Sequence, residues 1–183
     1  GLAVSSAAIF TSVAAQTGMM SLHGHVPAAV ARLQAKGQLA GTAEMNLAIG
    51  LPLRNQAALS NLLQQLYDPS SPNYRHYLTR EEFTEQFGPT EENYNAVKEF
   101  AHAHGLPIRN EHANRMMLEL GGTVGDIERA FHTTMRLYRH PSEARTFYAP
   151  EKEPSLDLQV PVLSIRGLDN FARAQPRLRN IIS

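Results

Sequence analysis

An α+β domain with an antiparallel sheet and helices packed on one face, in the split βαβ order of ferredoxin-like folds, is predicted by three features of the sequence. Segments with an apolar residue at every second position flank segments with apolar residues three and four apart. Helix start and stop signals separate the two kinds. The resulting order is strand, helices, strand, strand, helix, strand.

The elements follow in chain order. Glu44 to Leu51 sets Met45, Leu47, Ile49 and Leu51 against Glu44, Asn46 and Ala48, the alternation of a half-buried strand. Asn55 is placed to cap a helix carrying Leu59, Leu62, Leu63 and Leu66 on one face, which Asp68-Pro69 stops. From Asp68 to Thr90 the chain is densely punctuated. Pro72 keeps its neighbourhood extended, Thr79 with Glu82 forms a capping box, and Leu78 with Phe83 takes the staple positions. Phe87-Gly88-Pro89 ends that short helix, and Thr90 opens the next with Glu91 and Glu92 in its first turn.

The helix Glu91 to His104 buries Tyr94, Val97, Phe100 and Ala101, and Gly105 closes it. Leu106 to Glu111 and Arg115 to Leu120 are strands joined by a His112-Ala113-Asn114 turn, and Gly121-Gly122 turns again. Thr123 with Asp126 caps a helix with Val124, Ile127, Ala130 and Phe131 inward. Thr134 to Arg139 and Arg145 to Ala149 form a hairpin around His140 to Ala144. Val160 to Leu168 is apolar and lies against the domain. Asp169 to Ser183 is basic and reads as an exposed linker.

The 183 residues suffice for one buried domain with tails. We divide them into a leader and loose arm (1–42), a folded domain (43–170) and a linker (171–183). Leu2 to Ala15 is small and apolar, with Val13-Ala14-Ala15 resembling a signal-peptidase site but no basic segment ahead of it. Secretion, to the exterior or the periplasm, is the expected destination. No segment is long and apolar enough to span a bilayer. Lys plus Arg equals Asp plus Glu at 17 each, so no overall charge points to nucleic acid or an anionic membrane. The absence of Cys excludes thiol catalysis and cysteine metal sites.

No catalytic pattern is present. Gly121-Gly122-Thr123-Val124-Gly125 lacks the Lys and spacing of a phosphate loop and is better read as a turn into a helix. His102 and His104, two apart, point to different helix faces and cannot easily share a metal; His23 and His25 lie in the arm. Glu81, Glu82, Glu85, Glu91 and Glu92 occupy helix first turns and exposed faces. Tyr74, Tyr77, Phe83, Phe87, Tyr94 and Phe100 fall on connectors and helices, and the sheet-face aromatics and basic residues of an RNA reader are not evident.

Pro69, Pro72, Tyr74, the run Tyr77-Leu78-Thr79-x-x-Glu82-Phe83, and Phe87 resemble the signature of the pro-kumamolisin activation domain. That domain is the N-terminal prodomain of the sedolisin, or serine-carboxyl, peptidases. The likeness continues through Gly105, Asn114, Ile127-Glu128-x-Ala130-Phe131, Pro161 and Gly167-Leu168-Asp169. It departs at His132, where many relatives carry glycine, and in the short Pro161-to-Gly167 segment. The resemblance implies an intramolecular chaperone and inhibitor of an acid-active endopeptidase, removed at low pH. The family's catalytic residues and calcium belong to the peptidase domain, so no catalytic, cofactor or metal residue carries over to this chain. The partner implied is the cognate sedolisin peptidase domain. Tyr74, Tyr77, Arg173, Arg177 and Arg179 are candidates for contact with it. His76, His112, His132 and His140 are candidates for sensing acid. The rival reading is a stand-alone ferredoxin-like ligand-binding or regulatory domain.

Overall fold

A computed structural model describes residues 18–172. The leader and the basic run holding Arg173, Arg177 and Arg179 lie outside the described residues. The strands are β1 (Met20–Ser21), β2 (Gly37–Gln38), β3 (Glu44–Gly50), β4 (Ile108–Glu111), β5 (Met117–Thr123), β6 (Met135–Arg139), β7 (Thr146–Pro150), β8 (Ser155–Leu156) and β9 (Ser164–Arg166). The helices are α1 (Gln56–Tyr67), α2 (Arg80–Phe87), α3 (Glu91–Ala103) and α4 (Val124–Phe131). Together they make a mixed α+β fold in which every sheet is antiparallel.

The main sheet has the order β4-β5-β3-β9. Its inner residues Leu47, Ile49, Leu118, Leu120 and Ile165 pack on Val97, Phe100 and Ala101 of α3 and on Ile127 and Phe131 of α4. The local signals behind those helices are all realised. The Thr79–Glu82 and Thr123–Asp126 capping boxes both form, the Thr90 hydroxyl accepts from the Asn93 amide, and Gly105 ends α3 with φ +68°.

Four expectations are corrected. First, β6 and β7 do not join the main sheet. They form a second sheet with β2, over a separate cluster of Val30, Tyr138, Phe147 and Ala149. Second, residues 18–41 are not a loose arm. β1 pairs with β8, β2 pairs with β6, and Val30 of a 3-10 turn (Ala28–Arg32) is buried. Main-chain pairing needs no side-chain pattern, so a Gly- and Ala-containing segment gives no periodic warning of it.

Third, Gly121 and Gly122 do not turn the chain; they continue β5 opposite Asn46 and Met45. Their lack of side chains serves close approach instead. The Leu106 methyl would lie 2.9 Å from a Cβ at Gly122, and the Arg109 guanidinium takes the space above Gly121. Fourth, Asn55 makes no side-chain cap. Its backbone is left-handed (φ 54°) and its side-chain amide donates to the Gln86 carbonyl at 2.9 Å. The helix it opens contributes nothing to the main core: Leu66 is buried, but Leu63 is 48% exposed.

Arg115 fixes α2 and α3 to the β4–β5 turn. Its side chain is only 12% exposed and donates to the Pro89 carbonyl at 2.9 Å, to the Thr84 carbonyl and to Glu85 at 2.7 Å. Replacing Arg115 with Ala removes the side-chain donor to the Pro89 carbonyl and the partner of Glu85, while the Thr84 carbonyl keeps the Gly88 amide at 2.9 Å. We expect a loss of roughly 2–3 kcal/mol, read as a lower urea midpoint at unchanged m value.

Candidate partner-facing surfaces and acid-sensitive groups

Strand alternation that buries one face of the main sheet presents the other to solvent. That open face carries Glu44, Asn46 and Ala48 from β3, Arg109 from β4, Glu119 from β5 and Arg166 from β9. A shallow depression of about 320 Å³ lies among Asn46, Ala48, Arg109, Glu119, Arg166 and Gly167. Arg109 stands 3.9 Å from Glu44, and His112 Nε2 is 3.0 Å from Glu119. Hydrogen bonds from His112 and then Asn110 hold the Glu119 carboxyl below the usual carboxylate range. That pair therefore supports the fold at neutral pH and is lost as pH falls through the depressed value. A flat face of mixed charge with small residues at its centre suits a protein or extended-chain partner, not an engulfed small molecule.

A second exposed surface runs along α1 and the connector after it. Tyr67 is 76% exposed, Tyr77 68% and Leu63 48%. The two tyrosines predicted for contact therefore differ: Tyr77 is free on the surface, while Tyr74 is half-buried with Arg75 over its ring at 5.0 Å. His76 is exposed on the same connector.

Geometry separates the other three predicted histidines by what protonation would do to their bonds. His112 Nε2 faces a carboxylate, and His132 Nδ1 faces the Ser155 carbonyl at 3.1 Å. Both nitrogens donate, and both bonds persist in the cation. His132 also stands in left-handed backbone at φ 50°, which explains why glycine suits that position. His140 is different. Its Nδ1 accepts from the Ser142 and Glu143 amides, and its buried ring stacks on Phe171 at 4.7 Å. A proton on Nδ1 opposes both amides.

His140 also belongs to the anchorage of the segment leaving β9. Arg145 donates to the Asn170 carbonyl at 2.9 Å and the Phe171 carbonyl at 2.5 Å, and the Tyr148 amide donates to Asn170 Oδ1 at 2.7 Å. Residues up to Phe171 are thus part of the fold, where the sequence suggests a linker from 171.

One buried histidine stands outside the candidates that the sequence suggests. His25 belongs to the segment expected to be a loose arm, yet it is buried, and its Nε2 accepts from the Ile165 amide at 2.9 Å. Only the pairing of the arm reveals it. Among the described residues no group of three or more His, Asp or Glu could hold a metal ion, and no helix is long and apolar enough to cross a membrane.

Comparison with known proteins adds the following. The family description "Pro-kumamolisin, activation domain" matches residues 31–171. The chain is 29% identical over 142 residues to sedolisin of Pseudomonas sp. (strain 101), covering 78% of this chain and 24% of that protein. It is 31% identical over 131 residues to xanthomonalisin of Xanthomonas sp. (strain T-22), covering 70% and 16%. Against kumamolisin of Bacillus sp. (strain MN-32) it is 27% identical over 109 residues, covering 60% and 20%. The chain thus spans a quarter or less of the length of these relatives.

Proposed function

Since the chain belongs to the pro-kumamolisin activation domain family, we propose that it is the prodomain of a secreted, acid-activated sedolisin-type serine endopeptidase. It serves as intramolecular chaperone and inhibitor at neutral pH and is removed by autoprocessing at low pH. The observation that carries this reading is the family match over residues 31–171, combined with coverage of no more than 24% of the peptidases it resembles. The chemistry of hydrolysis, with any calcium, then resides in the peptidase domain, and this chain supplies no catalytic or cofactor-binding residue.

The partner is the cognate sedolisin peptidase domain. The open sheet face offers it a mixed-charge surface, and Tyr77, with Tyr74 behind it, offers an apolar one. Arg173, Arg177 and Arg179, outside the described residues, are proposed for the segment that approaches the cleft. The fold is read as a ferredoxin-like split βαβ unit. Its support is the order β9-β3-β5-β4, with the β6–β7 hairpin inserted between α4 and β9. His76, His112, His132 and His140 are proposed as the acid-sensing groups; His140 has an accepting Nδ1, with the Glu143 carboxylate 3.4 Å from its Nε2.

The test is addition of the 183-residue chain in trans to a mature sedolisin-family peptidase, with activity followed from neutral to acid pH. Inhibition at low-micromolar chain or below, relieved on acidification, is expected. No inhibition at any pH would overturn the reading in favour of a stand-alone regulatory domain.

A further inference from the structure

We propose that His25 is an acid-released latch that holds the N-terminal segment and the outer strand of the main sheet together. The biological meaning of the latch rests on the prodomain reading; its operation does not. The segment 20–25 runs along one distant stretch of chain, residues 153–156. β1 pairs with β8, the Leu22 amide donates to the Pro154 carbonyl at 2.9 Å, and the Glu153 carboxylate accepts from the Gly24 and His25 amides at 3.0 and 2.9 Å. His25 then reaches β9. Its Nε2 accepts from the Ile165 amide, so in the assembled fold that nitrogen carries no proton.

The remaining ring nitrogen, Nδ1, is buried without a hydrogen-bond partner among the described residues, 3.8 Å from Glu153 Oε2. Glu153, Asp169 and the His23 carbonyl favour the cation, but burial outweighs them and pushes the imidazole below its ordinary value. A proton taken from solvent onto Nε2 would set two donors against each other at 2.9 Å and leave the Ile165 amide without an acceptor. The sign is fixed by the depressed value. The latch is intact above about pH 6.5, the ordinary histidine value. It weakens as pH falls from there through the lower folded value, because the released state binds the proton more readily.

The consequence reaches the exit of the domain. Ile165 is paired with Ile49 on its other side, and Gly167 to Phe171 follow it directly onto the second sheet. Releasing His25 frees the N-terminal segment and the outer edge of β9 in one protonation step. His140, stacked on Phe171, lies at the far end of the same path. One segment of chain is therefore met by a histidine at each end: His25 Nε2 accepts from the Ile165 amide, and the His140 ring stacks on Phe171.

Nuclear magnetic resonance on the 183-residue chain tests this. Imidazole titration of His25 is followed together with amide exchange at Leu22 and Ile165, corrected for intrinsic rates, between about pH 7.5 and 4.5. We expect His25 to titrate below about 6.5. Protection at Leu22 and Ile165 should fall together as His25 titrates, because burial holds the latched imidazole below the released one. The β3–β5 amides should hold throughout. In His25→Gln, which keeps an acceptor but does not titrate, the protection of these two amides should stay flat with pH. A His25 that titrates at or above its ordinary value overturns the latch. So does a protection profile shared by wild type and His25→Gln. If His25→Gln does not fold, the wild-type titration decides alone. Neither result bears on inhibition in trans at neutral pH, so latch and prodomain reading can fail separately.

Discussion

Phe131→Ala is expected to destabilise the domain by about 3–5 kcal/mol, the usual cost of removing a buried phenylalanine whose cavity cannot collapse. Phe131 has no exposed surface and stands at the end of α4, with its ring 5.8 Å from Phe100 of α3. It thereby joins both helices to the inner face of the main sheet. Its neighbours Ile127, Leu118 and Leu120 are themselves inaccessible and set in regular elements, so none can swing in to fill the space. Against a typical stability of about 5–15 kcal/mol, this is a large fraction. For a folded unit of this size it lowers the melting midpoint by about 10 °C or more. Urea unfolding by circular dichroism measures the loss, and a cost below about 1 kcal/mol would show that the α3–α4 contact is not the centre of the fold. On the proposed inhibitor role, the variant should also fail to inhibit in trans at temperatures where the wild-type chain inhibits.

The same α3–α4 core is the most legible part of the sequence. Tyr94, Val97, Phe100 and Ala101 repeat at helical spacing, as do Val124, Ile127, Ala130 and Phe131, and all eight are buried. Capping boxes at Thr79 and Thr123 are local, because donor and acceptor lie three residues apart, and both form. Features that depend on distant pairing are not legible. Leu59, Leu62 and Leu63 repeat just as regularly as the stripe of α3, yet no sheet lies beneath them; only Leu66 is buried. A periodic stripe states that a face is apolar but not what covers it.

The candidate site divides along the same line. Resemblance locates the family, because ordered short motifs survive in a single sequence. Ranking the histidines by whether they lie in ordered elements retains His112 and His132, whose nitrogens donate, and passes over His25, whose Nε2 accepts. Whether a ring nitrogen donates or accepts depends on a main-chain group 140 positions away in the case of His25. Nothing in the local sequence carries that information. Gly121-Gly122 misleads for a related reason: glycine signals a turn or a close approach with equal strength, and only Leu106 and Arg109, folded over the strand, decide between them.

Gly167→Ala is expected to cost about 2–4 kcal/mol, from two terms that a matched control can separate. Gly167 has φ +95°, and a Cβ there would overlap the Asn46 carbonyl oxygen of β3 and sit 3.2 Å from a Leu47 methyl. The first term is the left-handed backbone, worth about 1 kcal/mol for alanine. The second is the overlap with main chain, which cannot rotate away as a side chain would. Gly105, at φ +68° with open space around it, carries the first term alone. Gly105→Ala should therefore cost about 1 kcal/mol, and the excess at Gly167 measures the steric term. The position also matters for function. Gly167 is where the chain leaves β9 and turns onto the second sheet, its carbonyl 3.4 Å from the Tyr148 hydroxyl, before Asn170 and Phe171 are tied down. Displacing it shifts the start of the segment proposed to approach the peptidase cleft. Inhibition in trans should therefore weaken by more than the loss of folded population accounts for, while Gly105→Ala, at the end of α3, should inhibit as the wild type does. Equal stability costs for the two variants would remove the steric argument. Equal inhibition at equal folded fraction would remove the exit path from the inhibitory surface.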